Sequence, residues 1–434
     1  MVIYTVKSGD SLYNIAARYG VSVASLQNDN MLTDPTRLTV GQTIVIIKPQ
    51  VVYTAKPGDT AEAIANANGI SLNQLFRNNP VLGGEQAVAP GTVLNIKLPT
   101  PNGGDMSVNA YAYPNIDLSV LRRTLPYLTY LTIFTYGIRE DGSLLPINDD
   151  PLIELAEQYG VAPVMHLSTL TERGTFSNAL ARRVLNDESI RKSVIDNVLQ
   201  TLQRKGYVGV DVDFEYVGAE NAEAYVAFLE QLRRAVSPQG YEVWVALAPK
   251  VRADQPGILY EGHNYAELGA IADRSLLMTY EWGYTFGPPM AVSPLNQVRR
   301  VVEYGISEIP PSRIFLGVPN YGYDWSLPYV AGESRAQSLG NMQAVDLAWK
   351  RQAEITYDTT AQAPTFRYFL PASGGGEAVE HEVWFEDARS VQAMLSLVPE
   401  YHLYGIGVWN IMKYFPQMWL VLNSEYTIRK INMG

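Results

Sequence analysis

The sequence predicts an α/β protein in which a (β/α)8 barrel follows two small α+β modules of βααβ order. Three observations predict it. A pattern near the N-terminus returns 49 residues later, the mark of a repeated unit. A stretch rich in Pro and Gly, residues 99–105, separates this repeat from the rest of the chain, as a linker does. From Ser107 onward eight short apolar runs follow one another, with amphipathic helical patterns between most of them. That alternation is the rhythm of a barrel whose site lies at the C-terminal ends of its strands.

Composition sets outer bounds. The chain has 434 residues, 47% hydrophobic and 18% charged, enough for a large core and about two or three domains. The net charge of -11 argues against a generally basic nucleic-acid-binding surface. It also argues against simple electrostatic attraction to an anionic wall polymer. Cysteine is absent, which removes disulfides, thiol catalysis and Cys-based zinc sites. No stretch approaches the ~20 apolar residues of a membrane span. Met1 leads directly into Val2-Ile3-Tyr4-Thr5-Val6 without a basic or long apolar leader, so the expectation is either a start at a mature end or a route to the target without ordinary secretion.

The repeat pairs Tyr4-Thr5-Val6-Lys7-Ser8-Gly9-Asp10-Ser11 with Tyr53-Thr54-Ala55-Lys56-Pro57-Gly58-Asp59-Thr60. Ile15, Ala16, Leu26 and Asn30 recur as Ile64, Ala65, Leu75 and Asn79. Gly41 recurs as Gly91, one residue late. The first copy, residues 1–48, reads as a strand at 3–6, helices at 12–19 and 23–28, and a strand at 43–47. Ser8 or Asp10 is expected to cap the first helix. The second copy, residues 50–98, places helices at 61–67 and 72–77 and a strand at 93–98.

The barrel, residues 106–434, takes its strands from 108–113, 130–136, 162–168, 208–215, 242–248, 275–280, 313–320 and 404–410. Helical patterns at 153–159, 188–204, 222–235 and 294–303 lie between them. Residues 321–386 are long for one loop. Strand-like pieces at 354–357, 365–369 and 382–385, with the Gly-rich Ser373-Gly374-Gly375-Gly376, read as an insertion that walls one side of a cleft.

The fourth run carries the chemistry. Gly206 to Val217 reads G-Y-V-G-V-D-V-D-F-E-Y-V, with Asp211, Asp213 and Glu215 at every second position. On a strand all three carboxylates face one way and the Val and Phe side chains the other. Neighbours on one face sit roughly 7 Å apart. At an effective dielectric near 20 they repel by about 2.4 kcal/mol. At least one member therefore holds a proton near neutrality. Glu215, last in the row and longest, is placed to act as a general acid. A solvated acidic edge would mix in Lys or Thr, and no basic residue occurs here. A metal site would want nearby His, yet the four His (166, 263, 381, 402) all lie away from the run in sequence.

This run resembles the D-G-x-D-x-D-x-E signature of glycoside hydrolase family 18, chitinases and related glucosaminidases. Gly209, Asp211, Asp213 and Glu215 match; Val208 replaces the first Asp. The resemblance implies the same TIM barrel, with Glu215 as acid and base. Asp213 would orient the substrate's N-acetyl group, and Asp211 would tune Asp213. Met278-Thr279-Tyr280-Glu281 is similar to the family's M-x-Y-D, with Tyr280 on the N-acetyl carbonyl and Glu281 in place of Asp. Trp409 matches the Trp at the base of the catalytic subsite. The S-x-G-G of the third strand is replaced by Ser168-Thr169-Leu170-Thr171. Aromatic residues gather at strand ends and can stack on sugars. The candidate substrate-binding residues are Trp409, Tyr111, Tyr136, Glu281, Trp282, Asn320 and Tyr321. No cofactor and no metal are expected.

The repeats resemble LysM modules, Y-x-V-x-x-G-D-[ST]-L-x-x-I-A, which bind N-acetylglucosamine-containing glycans. The first copy matches throughout; the second has Ala55 and Ala61 at two signature positions. Two such modules before this barrel resemble the spore cortex-lytic glucosaminidases of endospore-forming bacteria. That resemblance implies cleavage after N-acetylglucosamine in cortical peptidoglycan, and a place in the spore coat or cortex, or otherwise at the cell wall. It also implies a substrate-assisted, retaining mechanism. The partners expected are peptidoglycan or a chitin-like polymer, with no nucleic acid and no membrane. A chitinase, a glycan-binding protein without turnover and a structural coat protein are the alternatives.

Overall fold

The computed structural model describes residues 1–170, 176–371 and 378–431. In the first module β1 (Val2–Thr5) pairs antiparallel with β2 (Thr43–Ile46), and the helices Leu12–Tyr19 and Val23–Asn30 lie between them in sequence. In the second, β3 (Val51–Thr54) pairs with β4 (Val93–Lys97) around the helices Ala61–Ala67 and Leu72–Asn78. The recurring Asn explains itself here. Asn30 donates to the carbonyls of Leu26 and Val45 and accepts from the Val45 N–H. Asn79 does the same with Leu75 and Asn95. One buried amide thus sews helix to strand in each copy, meeting backbone groups that burial would otherwise leave unpaired.

The first helix is capped by Ser11, whose side chain accepts from the Asn14 N–H, rather than by Ser8 or Asp10. Asp10 is committed elsewhere: it accepts from the Tyr4 hydroxyl at 2.6 Å and the Lys7 N–H at 2.8 Å. The expected linker is also tied down. The Gly103 N–H donates to Glu425 O, and Gly104 O accepts from the Thr427 N–H.

Eight parallel strands form the closed barrel. They are β5 (Asp105–Ala112), β6 (Tyr130–Tyr136), β7 (Ala162–Ser168), β8 (Gly209–Asp213), β9 (Glu242–Leu247), β10 (Arg274–Leu277), β11 (Ile314–Pro319) and, after the insertion, β17 (Gly405–Trp409). β17 pairs back onto β5 and closes the ring. The insertion is an antiparallel sheet of β12 (Gly322–Ser326), β13 (Gln337–Leu339), β14 (Thr356–Asp358), β15 (Ala363–Leu370) and β16 (Val379–Trp384), with a helix at Asn341–Arg351. β12, β13 and that helix are additional to the pieces expected from sequence; the Ser373–Gly376 stretch lies outside the described residues. A final strand, β18 (Thr427–Ile428), pairs with the start of β5.

Alternate residues on the barrel strands serve two cores. Tyr111, Tyr130, Val164, Trp244, Leu276 and Phe315 fill the barrel's interior. The other face packs against the surrounding helices, and Val45 and Ile47 of the first module join that same cluster. The modules are docked by hydrogen bonds as well. Thr43 and Gln417 exchange two, each at 2.7 Å. Tyr127 donates to Arg77 O, and Arg77 to Pro126 O.

Candidate functional site

β8 sets the site. Val210, Val212 and Phe214 are buried in the outer apolar layer, which leaves Asp211 and Asp213 on the inner face. The strand ends at Asp213, so Glu215 stands just beyond it, half-buried. The strand is shorter here than expected because the chain turns away at Tyr216, whose φ is 54°. Phe214 anchors this turn. Its ring lies 5.6 Å from that of Tyr225 and 5.2 Å from that of Phe228. Its carbonyl pairs with His263 Nε2 at 3.0 Å.

Burial comes before the mutual repulsion of the row as the cause that raises all three carboxyl groups. Burial pushes Asp211 up to about 7, against the opposing effect of the Tyr111 hydroxyl, which donates to its Oδ2 at 2.7 Å. Burial, then the charges of Glu215 and Asp211, hold Asp213 well above the usual carboxylate range. Burial and then the charge of Glu281 raise Glu215 to about 7. Oδ1 of Asp211 and Oδ1 of Asp213 are both buried without a hydrogen-bond partner, a costly arrangement that a bound group can relieve.

After β10, Tyr280 is buried to 9% exposure, and the charges of Asp213, Glu215 and Asp211 all bear on its hydroxyl. Glu281 follows with a φ of 66°, and its carboxylate accepts from the hydroxyls of Tyr321 and Tyr323. Glu281, Asn320, Tyr321, Tyr323, Trp409 and Tyr113 line a pocket of about 290 Å³. Trp409 packs its edge against Tyr111 and Phe134, with centroids 5.6 and 5.0 Å apart.

Four residues expected on the sugar stand differently. Tyr136 is turned away: its hydroxyl donates to the buried Asp149, which also meets Tyr207 and Lys205. The reason is a break in the β6–β7 register between Ile133 and Tyr136, which moves Tyr136 to the outer face. Tyr111 is buried, with its hydroxyl spent on Asp211. Trp282 packs against the apolar layer around the strands. Asn320 lines the pocket, but its amide donates to Asn410 O and Lys413 O, both at 2.9 Å, and so clips the loop that carries Trp409.

Two site residues were not foreseen. Phe134 takes the inner position next to Trp409; alternation from Tyr130 and Thr132 was the signal for it. His166, distant in sequence, brings Nε2 to 3.5 Å from Asp213 Oδ2. Ser168 and Thr169, in place of the S-x-G-G motif, are buried; Thr171 lies outside the described residues. Among the described residues no cluster of His, Asp and Glu fit to hold a metal ion occurs. None of the described helices is long and apolar enough to cross a membrane.

Comparison with known proteins bears on this geometry directly. The model of glycosyl hydrolases family 18 matches residues 170–413, and the LysM domain model matches 4–46 and 53–97. The cortical fragment-lytic enzyme of Bacillus subtilis (strain 168) is 41% identical, over 99% of both chains. The crystal structure of the Bacillus megaterium QM B1551 spore cortex-lytic enzyme SleL superposes with a TM-score of 0.82 at 36% identity, covering 99% of each chain. A chitinase from Chromobacterium violaceum, 24% identical, shares the fold over 74% of this chain and 98% of its own, with a TM-score of 0.67. An inward Asp211 and Asp213 on the fourth strand of a closed barrel, with Glu215 just past its end, and a matching family model agree: the chain is a glycoside hydrolase of family 18 with two LysM domains at its N-terminus.

Proposed function

We propose that this enzyme cleaves β-1,4 bonds after N-acetylglucosamine in spore cortex peptidoglycan, with retention of configuration. The observation that carries the mechanism is the buried, inward carboxyl row itself. Glu215, half-buried and raised to about 7, donates its proton to the leaving glycosidic oxygen. No second carboxylate is needed as nucleophile, because the substrate's 2-acetamido oxygen attacks the anomeric carbon and closes an oxazolinium ring. Asp213 accepts the acetamido N–H as the ring forms, and the lone pairs of that carboxyl oxygen stabilise the developing cation. Tyr280 donates to the acetamido oxygen. Water then attacks the anomeric carbon, giving its proton to Glu215 and opening the ring.

The substrate rests on the names of full-length relatives that are lytic for cortex and on LysM domains suited to N-acetylglucosamine polymers. Trp409 forms the floor under the cleaved sugar, and Tyr321 and Glu281 line its side. The same names support a location in the spore cortex or coat.

The test is mass spectrometry of products from purified cortical glycan fragments, with wild type and Glu215→Gln. New N-acetylglucosamine reducing ends with the wild type alone are the expected result. Cleavage of chitin oligomers but not of cortex fragments would replace the substrate. Binding without cleavage of either would replace catalysis with glycan recognition.

A further inference from the structure

His166 sits at the centre of a buried polar chain that the proposed mechanism does not use. It lies on β7 directly beside Asp211 in the sheet register and is almost wholly buried. Its Nδ1 lies 2.7 Å from Thr135 Oγ1. Thr135 Oγ1 in turn lies 2.9 Å from Ser168 Oγ, and Ser168 Oγ accepts from the Leu170 N–H at 3.4 Å. At the other end, Nε2 lies 3.5 Å from Asp213 Oδ2.

The direction of these hydrogen bonds fixes the tautomer. Thr135 has one hydroxyl proton, and its acceptors are Ser168 Oγ at 2.9 Å and the His166 carbonyl at 3.5 Å. Its oxygen is then left to accept, and the partner that can donate to it is Nδ1–H. A neutral imidazole protonated at Nδ1 is bare at Nε2. Burial keeps this imidazole neutral, moving it down to about 3. A bare Nε2 beside a carboxyl oxygen is favourable only where that oxygen carries the proton. Asp213 Oδ2 is that atom, while Oδ1 is left without a partner.

We propose that His166 is a positioning residue for Asp213: its bare Nε2 draws the carboxyl proton onto Oδ2 and leaves Oδ1 free to take the substrate's acetamido N–H. The inference rests on the family 18 reading and deepens it, because it assigns different work to the two oxygens of one carboxyl group. It also gives the β7 sequence a reason. Ser168 and Thr135 set the hydrogen-bond direction, His166 passes it on, and Asp213 receives it.

The groups that face Asp213 and His166 all have a place in the expected pH behaviour. Asp211 and Glu215 flank Asp213 on its own chain segment. Tyr111 comes from β5, Tyr225 from the helix after β8, and Tyr280 and Glu281 follow β10. None of these is a cation. An acceptor at Nε2 favours the neutral form of Asp213, so the row loses its proton at higher pH with His166 than without it. Because the carboxyl works with its proton on Oδ2, removing the acceptor moves the basic limb of the kcat/KM profile to lower pH.

The experiment compares His166→Asn, His166→Gln and wild type on cortex fragments. Asn retains a group near Nδ1 for Thr135 but nothing at Nε2, whereas Gln can place its amide oxygen near Nε2. His166→Asn is expected to lower kcat at least tenfold with little change in KM and to move the basic limb down by about half a pH unit or more. His166→Gln is expected to recover part of both. Loss of activity with an unmoved profile, or equal loss in both variants, would reduce His166 to a packing role and overturn the proposal. A second readout needs no substrate: 15N spectra of the imidazole are expected to show Nδ1 protonated and Nε2 bare. A proton on Nε2 overturns the proposal even if the enzyme cuts cortex. A bare Nε2 in a protein that cuts no glycan would sustain the tautomer and reject the functional reading instead.

Discussion

Tyr111, on the first barrel strand, donates its hydroxyl hydrogen to Asp211 on the fourth, 2.7 Å away across the closed interior. With that bond Asp211 has one satisfied oxygen; without it both would be bare, since Oδ1 already lacks a partner. Tyr111→Phe retains the ring that packs against Trp409. Losing the hydroxyl is expected to cost about 1–3 kcal/mol where a buried group is left unpaired. The expected outcome is a fall in kcat/KM of about tenfold or more, with a native circular-dichroism spectrum. Full activity in this variant would show that Asp211 needs no partner.

Glu281 is expected to act on Glu215 through its charge. Burial is the larger cause of Glu215's raised value and the Glu281 charge the second. Glu281→Gln leaves an oxygen for Tyr321 and Tyr323 but removes the charge. Glu215 then loses its proton at lower pH. Because the acid must be protonated to work, the basic limb of the pH–rate profile is expected to move down by about 0.5–1 unit. A limb that stays in place would mean burial alone sets the acid.

The carboxylate row works against the fold. Asp213 is raised when folded, so between its unfolded value and its folded one the native state binds the extra proton. Stability therefore falls as pH rises through that window. Asp213→Asn removes the ionisation, and at pH 8 it is expected to raise the Tm by about 2 °C or more while abolishing turnover. Near pH 4 the gain should vanish. Calorimetry at the two pH values decides this.

Tyr136→Phe tests the register break. Asp149 would lose one of its two tyrosine donors, so a loss of stability of about 1–2 kcal/mol is expected. KM for glycan fragments is expected to stay unchanged. A raised KM would return Tyr136 to the cleft.

Gln417 holds the first module by a two-way exchange with Thr43. Gln417→Ala is expected to speed amide exchange in β1 and β2 while leaving β3 and β4 as they were, with about 1–2 kcal/mol of stability lost.

The barrel strands were legible because β-branched and aromatic runs at barrel spacing leave few other solutions. All eight runs coincide with barrel strands, to within a few residues at their ends. The carboxylate row was legible for the same reason: a period of two fixes a face. What escaped was set by partners distant in the chain. Tyr136 keeps its inward parity in the sequence, and only the β6–β7 register break turns it out. His166 lies 47 residues before Asp213, and pairing of β7 with β8 sets it opposite Asp211, from where its Nε2 comes within 3.5 Å of Asp213 Oδ2. Asn320 looked like a cleft residue because it ends β11; the loop at Asn410 and Lys413 claims its amide. Asp10 looked like a cap until Tyr4, six residues earlier, took its carboxylate.

Val45 and Ile47 belong to the same apolar cluster as the barrel's outer layer, so the repeat boundary in sequence is not a boundary in the oil. A shortened chain starting at Asp105 would uncover the surface those two side chains now shield, together with the Tyr127–Trp419 stack nearby. Bare apolar area of that kind promotes self-association. Such a fragment is expected to sediment as soluble aggregates or precipitate at concentrations where the whole chain stays dispersed. The two N-terminal units would then serve the colloidal behaviour of the enzyme, and a lineage that shed them would need new polar residues on the barrel flank.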